Sequence, residues 1–211
     1  MRTVGRRWTP ITANNHMLYY PRSEGRMVGM DGETCLRQAY EAIFHGDFES
    51  AVFWFGQAIE MEPTNAEYHY RGSITCARSG KLSLAMTYAH RAVELNPNEK
   101  TYQLNLRTMM ARQKITVARQ LLEMPIPDLE QSVAYLKEAA YLDPLSAEAR
   151  LLLGILYRMQ RKYKLALDSL QDALQLEPQL EEAKRLLHEV RAERRRLLKQ
   201  QYSHYNSRRN R

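Results

Sequence analysis

Cysteine is scarce in this chain: Cys35 and Cys76 are the only two in 211 residues. Neither has a second Cys or a His at ligand spacing, which excludes a disulfide framework and a zinc site of the usual pattern. Both are expected as buried thiols on packed helix faces. No apolar run approaches the 18 or so residues of a membrane-spanning helix. The N-terminal Arg6-Arg7 invites a twin-arginine export reading, but the stretch that follows, ITANNHMLYYPRSEG, lacks an apolar core, so a signal peptide is not expected and a cytoplasmic location is. Catalytic patterns are missing too. The six histidines, at 16, 45, 69, 90, 188 and 204, show no HExxH or other ligand spacing, and none pairs with a nucleophile. Gly80-Lys81 resembles the end of a phosphate loop, yet Gly72 lies eight residues before Gly80 instead of five, and Leu82 stands where a Mg²⁺-binding Ser or Thr belongs. The expectation is a chain with no catalytic, cofactor or metal site, and no enzyme.

What the sequence does contain is a recurring frame. RAVELNPNE at 91–99 is a helical pattern that ends at Asn-Pro, and QAIEMEPTN, EAAYLDPLS and DALQLEPQL end alike. Proline cannot donate the N–H an interior helical residue must supply, and it disfavours helix at the residue before it. Pro63 and Pro97 are 34 residues apart, Pro97 and Pro144 are 47 apart, and Pro144 and Pro178 are again 34 apart. Ala51, Ala85 and Ala166 lie twelve residues before their prolines, and Ala58, Ala92, Ala139 and Ala173 lie five before. Small residues at fixed offsets let paired helices approach closely. Gly46 and Gly80, each seventeen before a proline, suit a tight turn between helices. A period of 34 with these features predicts helix–turn–helix repeats.

These residues resemble the tetratricopeptide repeats. The best copy, RLLLGILYRMQRKYKLALDSLQDALQLEP at 150–178, carries Leu153, Gly154, Tyr157, Tyr163, Ala166, Leu170, Ala173 and Pro178 of the family pattern. The first copy has Ala39, Gly46, Phe48, Ala51, Phe55, Ala58 and Pro63; the second has Gly72 one position early, then Cys76, Gly80, Leu82, Ala85, Ala89, Ala92 and Pro97; the third fits only in its second helix. Arg150, Cys35 and His69 stand at the family's Trp position. The resemblance implies an all-α fold, a right-handed α-solenoid of four helix pairs with a C-terminal capping helix. The expected organisation is a disordered basic segment over 1–31 and repeats at 32–65, 66–99, 100–146 and 147–178. A capping helix over 179–201 and a loose basic tail over 202–211 complete it. The third repeat is 13 residues longer than the others, and the absence of Gly and Pro from 99–123 predicts one overlong helix whose overhang projects from the array.

Charge is segregated. Residues 1–30 carry net +4, residues 179–211 net +6, and the stretch between them net −3. The family resemblance implies a non-enzymatic adaptor that holds a peptide or amphipathic helix of a partner protein on the face formed by first helices. The implied groove residues are Leu36, Tyr40, Ile43 and Phe44, then Tyr70, Ile74 and Arg78, then Leu151, Ile155, Arg158 and Met159. Relatives that clamp the C-terminal carboxylate of heat-shock chaperones place Lys and Asn where this chain has Leu36 and Tyr40, so that specialisation is not expected. Arg71 and Arg78 are left to hold an acidic side chain. The other reading is binding of RNA or an anionic surface through the basic ends. Its strongest stretch is a C-terminal arm of Arg191, Arg194, Arg195, Arg196 and Lys199, with Tyr202 and Tyr205 interleaved.

Overall fold

The computed structural model describes residues 8–13, 16–23, 26–27 and 31–209, with side chains described from 31 to 202. The chain divides into two compact units, Met1–Met109 and Met110–Arg211.

The first unit opens with strands β1 (Trp8–Ala13), β2 (His16–Ser23) and β3 (Arg26–Met27). β1 and β2 pair antiparallel, with Ala13 opposite His16, and β2 pairs antiparallel with β3. The expectation of disorder over 1–31 is corrected at these residues. The reason is visible in composition: Thr, Ile and Tyr favour a pleated backbone, and an Asn-Asn pair separates the first two strands. The remainder of 1–30 lies outside the described residues. Four helices follow, α1 (Gly32–Phe44), α2 (Phe48–Met61), α3 (Ala66–Arg78) and α4 (Leu82–Leu95), and then the first turns of α5 (Lys100–Leu122).

Local chemistry sets the helix ends. Asp31 accepts from Thr34 N at 2.8 Å, Asp47 from Ser50 N at 3.0 Å, and Asn65 from Glu67 N at 3.2 Å. These bonds satisfy backbone donors that a first helical turn leaves orphaned. The interhelix turns use left-handed glycines, Gly46 at φ 76° and Gly80 at φ 79°. Ala51, Ala58, Ala85 and Ala92, the recurring small residues of this unit, are fully buried. The repeat position that Gly72 misses by one is filled by Ser73, whose buried hydroxyl accepts from Asn105 Nδ2 on α5 at 3.0 Å. Gly72 instead lets Tyr88 of α4 close in: a Cβ there would lie 3.2 Å from the Tyr88 ring. Cys35 and Cys76 are buried as expected, and burial pushes the Cys76 thiol up to about 11, which makes it a poor nucleophile.

The second unit contains the rest of α5, then α6 (Leu129–Leu142), α7 (Ala147–Met159), α8 (Tyr163–Leu176) and α9 (Glu181–Arg209). Ala139, Ala166 and Ala173 are fully buried in its core beside Leu136, Leu156, Leu170 and Val190. In the divergent third repeat Ser132 takes the place of the first alanine, and its hydroxyl donates to Asp128 O at 2.7 Å, so the polar atom is buried with a partner.

Two expectations change here. The extra turns of α5 do not overhang bare, since Ala111, Ile115 and Ala118 are buried in this core and Lys114 pairs with Glu138 of α6 at 2.9 Å. The tail expected to be loose over 202–211 is helical through Arg209. Residues 177–209 contain no Gly, and their one proline, Pro178, precedes α9, so nothing stops the helix at 201. Among the described residues the repeat region is all-α, built of tandem helical hairpins.

Candidate functional site

Within Met1–Met109 the first helices α1, α3 and the start of α5 present the side chains that the repeat frame assigns to ligand contact. Tyr40 and Phe44 lie one turn apart on α1, 39% and 85% exposed, and Ile74 of α3 is 36% exposed. Leu36 and Ile43 are half-buried and pack on the core of Cys35, Ala39, Trp54 and Phe55, so they form the floor. The Tyr40 ring meets Phe55 edge-on at 6.1 Å. Tyr70 is half-buried beside Tyr102 of α5, with ring centroids 4.9 Å apart. Leu104, 57% exposed, continues the apolar set onto α5.

The cations of this face are already engaged. Arg71 pairs with Glu67 and sits 5.3 Å from the Tyr40 ring centroid, and Arg78 lies 4.5 Å from the Phe48 centroid. Tyr102 donates its hydroxyl to Glu67 Oε2 at 2.9 Å. Burial, followed by that bond to a carboxylate, pushes the Tyr102 hydroxyl up to about 12. Burial likewise raises Tyr70. The two arginines therefore have aromatic and carboxylate neighbours on the same face, Arg71 with its side chain still 43% exposed and Arg78 exposed.

The groove residues assigned to the fourth repeat fare differently. Leu151 is 8% exposed and belongs to the core, and Ile155 is half-buried against it. Arg158 is bound by α9: its Nη1 lies 2.7 Å from Glu189 Oε2 and its Nη2 lies 2.6 Å from Glu193 Oε1. These bonds, that to Glu193 first, raise the arginine further above its usual range. Only Met159, 56% exposed, presents much apolar surface. Helix α9 lies against α8 and α7 and puts Ala183, Leu186 and Val190 into the core. The fourth-repeat face is thus already occupied at Arg158, and Leu151, expected in the groove, is buried in the core.

Sequence reasoning missed Leu104, Tyr102 and Glu67. A signal for Leu104 existed: it lies seven residues beyond Pro97, as Tyr70 does beyond Pro63 and Leu151 beyond Pro144. On α9, Arg191, Arg194, Arg195, Arg196 and Lys199 are all exposed. Among the described residues there is no cluster of three metal-ligating side chains and no helix long and apolar enough to cross a membrane.

Family models described as tetratricopeptide repeat match residues 32–65 and 128–181, which take in α1–α2 and α6–α8. No curated protein matches the chain. Several solved structures resemble it. MamA residues 41–end from Desulfovibrio magneticus RS-1 is 18% identical, over 85% of this chain and 93% of that one, with TM-score 0.48. TTC0263, described as a thermophilic TPR protein in Thermus thermophilus, is 23% identical over 75% and 80%, with TM-score 0.42. YrrB, described as a TPR protein with an unusual peptide-binding site, is 15% identical over 74% and 91%, with TM-score 0.39. Likenesses of this strength say nothing about a ligand.

Proposed function

We propose that this tetratricopeptide-repeat protein, an adaptor for protein–protein interaction, holds an apolar stripe of its partner on the first-helix face of Met1–Met109. It does so without catalysis, and a cytoplasmic location is part of the same proposal. One observation carries the reading: Tyr40, Phe44, Ile74 and Leu104 are exposed apolar side chains on successive first helices. The arginines beside them have neighbours within the face: Arg71 pairs with Glu67 and lies over Tyr40, and Arg78 lies over Phe48. A face with apolar anchors and internally paired charges selects an amphipathic helix by its i, i+3, i+4 apolar positions. A free carboxylate gains little there. The floor of Leu36 and Ile43 and the Tyr70–Tyr102 pair hold the anchors in place and limit the side-chain entropy lost on binding.

The test is capture of partners by the intact chain and by a Tyr40→Ala/Phe44→Ala variant checked for native helicity. Aromatic anchors contribute about 2 kcal/mol or more each at such surfaces, so the variant should lose its partner at protein concentrations that saturate the wild type. An unchanged set of captured proteins would sink the reading. A second reading, binding of RNA or an anionic surface through the basic ends, is favoured by the exposure of the α9 cations.

A further inference from the structure

The charge of α9 divides at Val190. Before that residue the helix is tied down: Ala183, Leu186 and Val190 are buried, and Lys184 pairs with Glu181 at 2.7 Å. Its two later carboxylates, Glu189 and Glu193, are drawn to Arg158 of α7. That pairing leaves the following cations without compensation from their own helix. Among the described residues, Arg191, Arg194, Arg195, Arg196 and Lys199 join no ion pair, and all five are exposed. The helix continues to Arg209, so about 28 Å of it lies beyond Val190 at 1.5 Å per residue.

The distribution of these cations around the axis is informative. At about 100° per residue the five span an arc of about 200°, and the remaining arc holds buried Val190, Glu193, which binds Arg158, and half-buried Leu197. Exposed Leu198 and Tyr202 fall inside the cationic arc, but Arg191 and Arg195 fall between and beside them. A helix lying on a lipid surface needs a continuous apolar face with charges at its margins, and here, among the residues whose side chains are described, Arg191 and Arg195 interrupt the Leu198–Tyr202 pair. A flat anionic protein surface meets one side of a helix, not an arc wider than half its circumference. Two rows of phosphates flanking a groove meet both sides. Four of the five cations are arginines, whose planar forks bind phosphate oxygens in bidentate fashion.

We infer that the distal half of α9 is a nucleic-acid-binding arm, which lies in a duplex groove and contacts the phosphodiester backbones on both walls. The inference is independent of the apolar face on α1, α3 and α5. Its ligand chemistry is the phosphodiester backbone, and DNA and RNA duplexes are its two sources.

The experiment titrates the intact chain into a labelled DNA duplex of about 20 base pairs, into the RNA duplex of the same sequence, and into phosphatidylcholine–phosphatidylserine vesicles. Binding to at least one duplex is expected, with log K falling linearly in log salt at about 0.9 per phosphate contact. The DNA and RNA arms identify the source. An Arg191→Gln/Arg195→Gln/Lys199→Gln variant should bind at least tenfold more weakly and lower the salt slope by about 2.7. A Lys137→Gln/Lys162→Gln/Lys164→Gln variant, which removes equal charge from exposed sites elsewhere, should bind as the wild type does. The inference is overturned by failure to bind either duplex, by equal losses in the two variants, or by binding to vesicles alone.

Discussion

Arg161 stands seventeen residues before Pro178, where Gly46 and Gly80 stand before their own prolines, and it adopts the same left-handed backbone at φ 57°. An L side chain pays roughly 1–2 kcal/mol in that region. Arg161→Gly should therefore raise stability by about 1 kcal/mol in thermal unfolding, and a loss would mean that the side chain, not the turn, is what the site needs. Gly154 works in the opposite sense. A Cβ there would lie 2.6 Å from Leu170 Cγ, and Leu170 is fully buried. Gly154→Leu should cost about 1–3 kcal/mol or more through overpacking, and an unchanged melting temperature would refute the helix contact. Asp47 adds a pH dependence. Bonds from the Ser50 hydroxyl and N–H hold its carboxyl below the usual range, so the cap's stabilisation is present above the ordinary carboxylate pKa and is lost as pH falls through the lowered one. Asp47→Ala should remove that acid-limb loss along with about 1 kcal/mol at neutral pH. A wild-type acid limb in the variant would assign the loss to other carboxylates. Frame residues such as Gly154 were legible in sequence because their neighbours recur at fixed offsets along the chain. Arg158 was not, because the carboxylates that bind it come from α9, some thirty residues later.

Helix α9 shows how an element's two halves follow different physics. Its first half buries Ala183, Leu186 and Val190 against the second unit's core, and each large side chain so buried contributes about 1.5–3 kcal/mol. Terminal repeats need such a cover, since an uncovered hairpin exposes the face its successor would bury. Truncation after Gln200 should leave the melting temperature unchanged, because Gln201 and Tyr202, the first two residues removed, are exposed. Truncation after Leu176 should lower it sharply and cause association in sedimentation. If the shorter chain stays monomeric and equally stable, α9 is no cap. The existence of this helix was readable from the spacing of Leu180, Ala183, Leu187 and Val190, and its length was not. Polarity after 201 looked like a tail, whereas helix continuation asks only that nothing break the backbone ladder. The long α5 was readable for the same reason, but its packing was not: Ile115 and Ala118 find partners in Val133 and Leu136 across a loop that the 34-residue period does not describe.

At the scale of the whole chain, the proposed apolar anchors and the uncompensated cations fall in different units. The net +7 arises from the two ends, against a repeat region of net −3. The exposed apolar anchors, Tyr40, Phe44, Ile74 and Leu104, lie in Met1–Met109, and the uncompensated cations of α9 lie in Met110–Arg211. Binding to the first surface expels water from apolar groups and responds weakly to salt; binding to the second releases counterions and responds steeply. Raising salt from about 50 to about 200 mM should change the affinity of a captured protein partner by no more than about threefold. The same change should weaken duplex binding by roughly several hundredfold if all five cations meet phosphates. The substitutions should separate in the same way. Tyr40→Ala/Phe44→Ala should leave duplex affinity unchanged, and the triple Gln variant of α9 should leave partner capture unchanged, both measured on the intact chain. If either variant impairs both activities while retaining its helicity and melting temperature, the two surfaces serve a single ligand, and the division of labour argued from their chemistry is wrong.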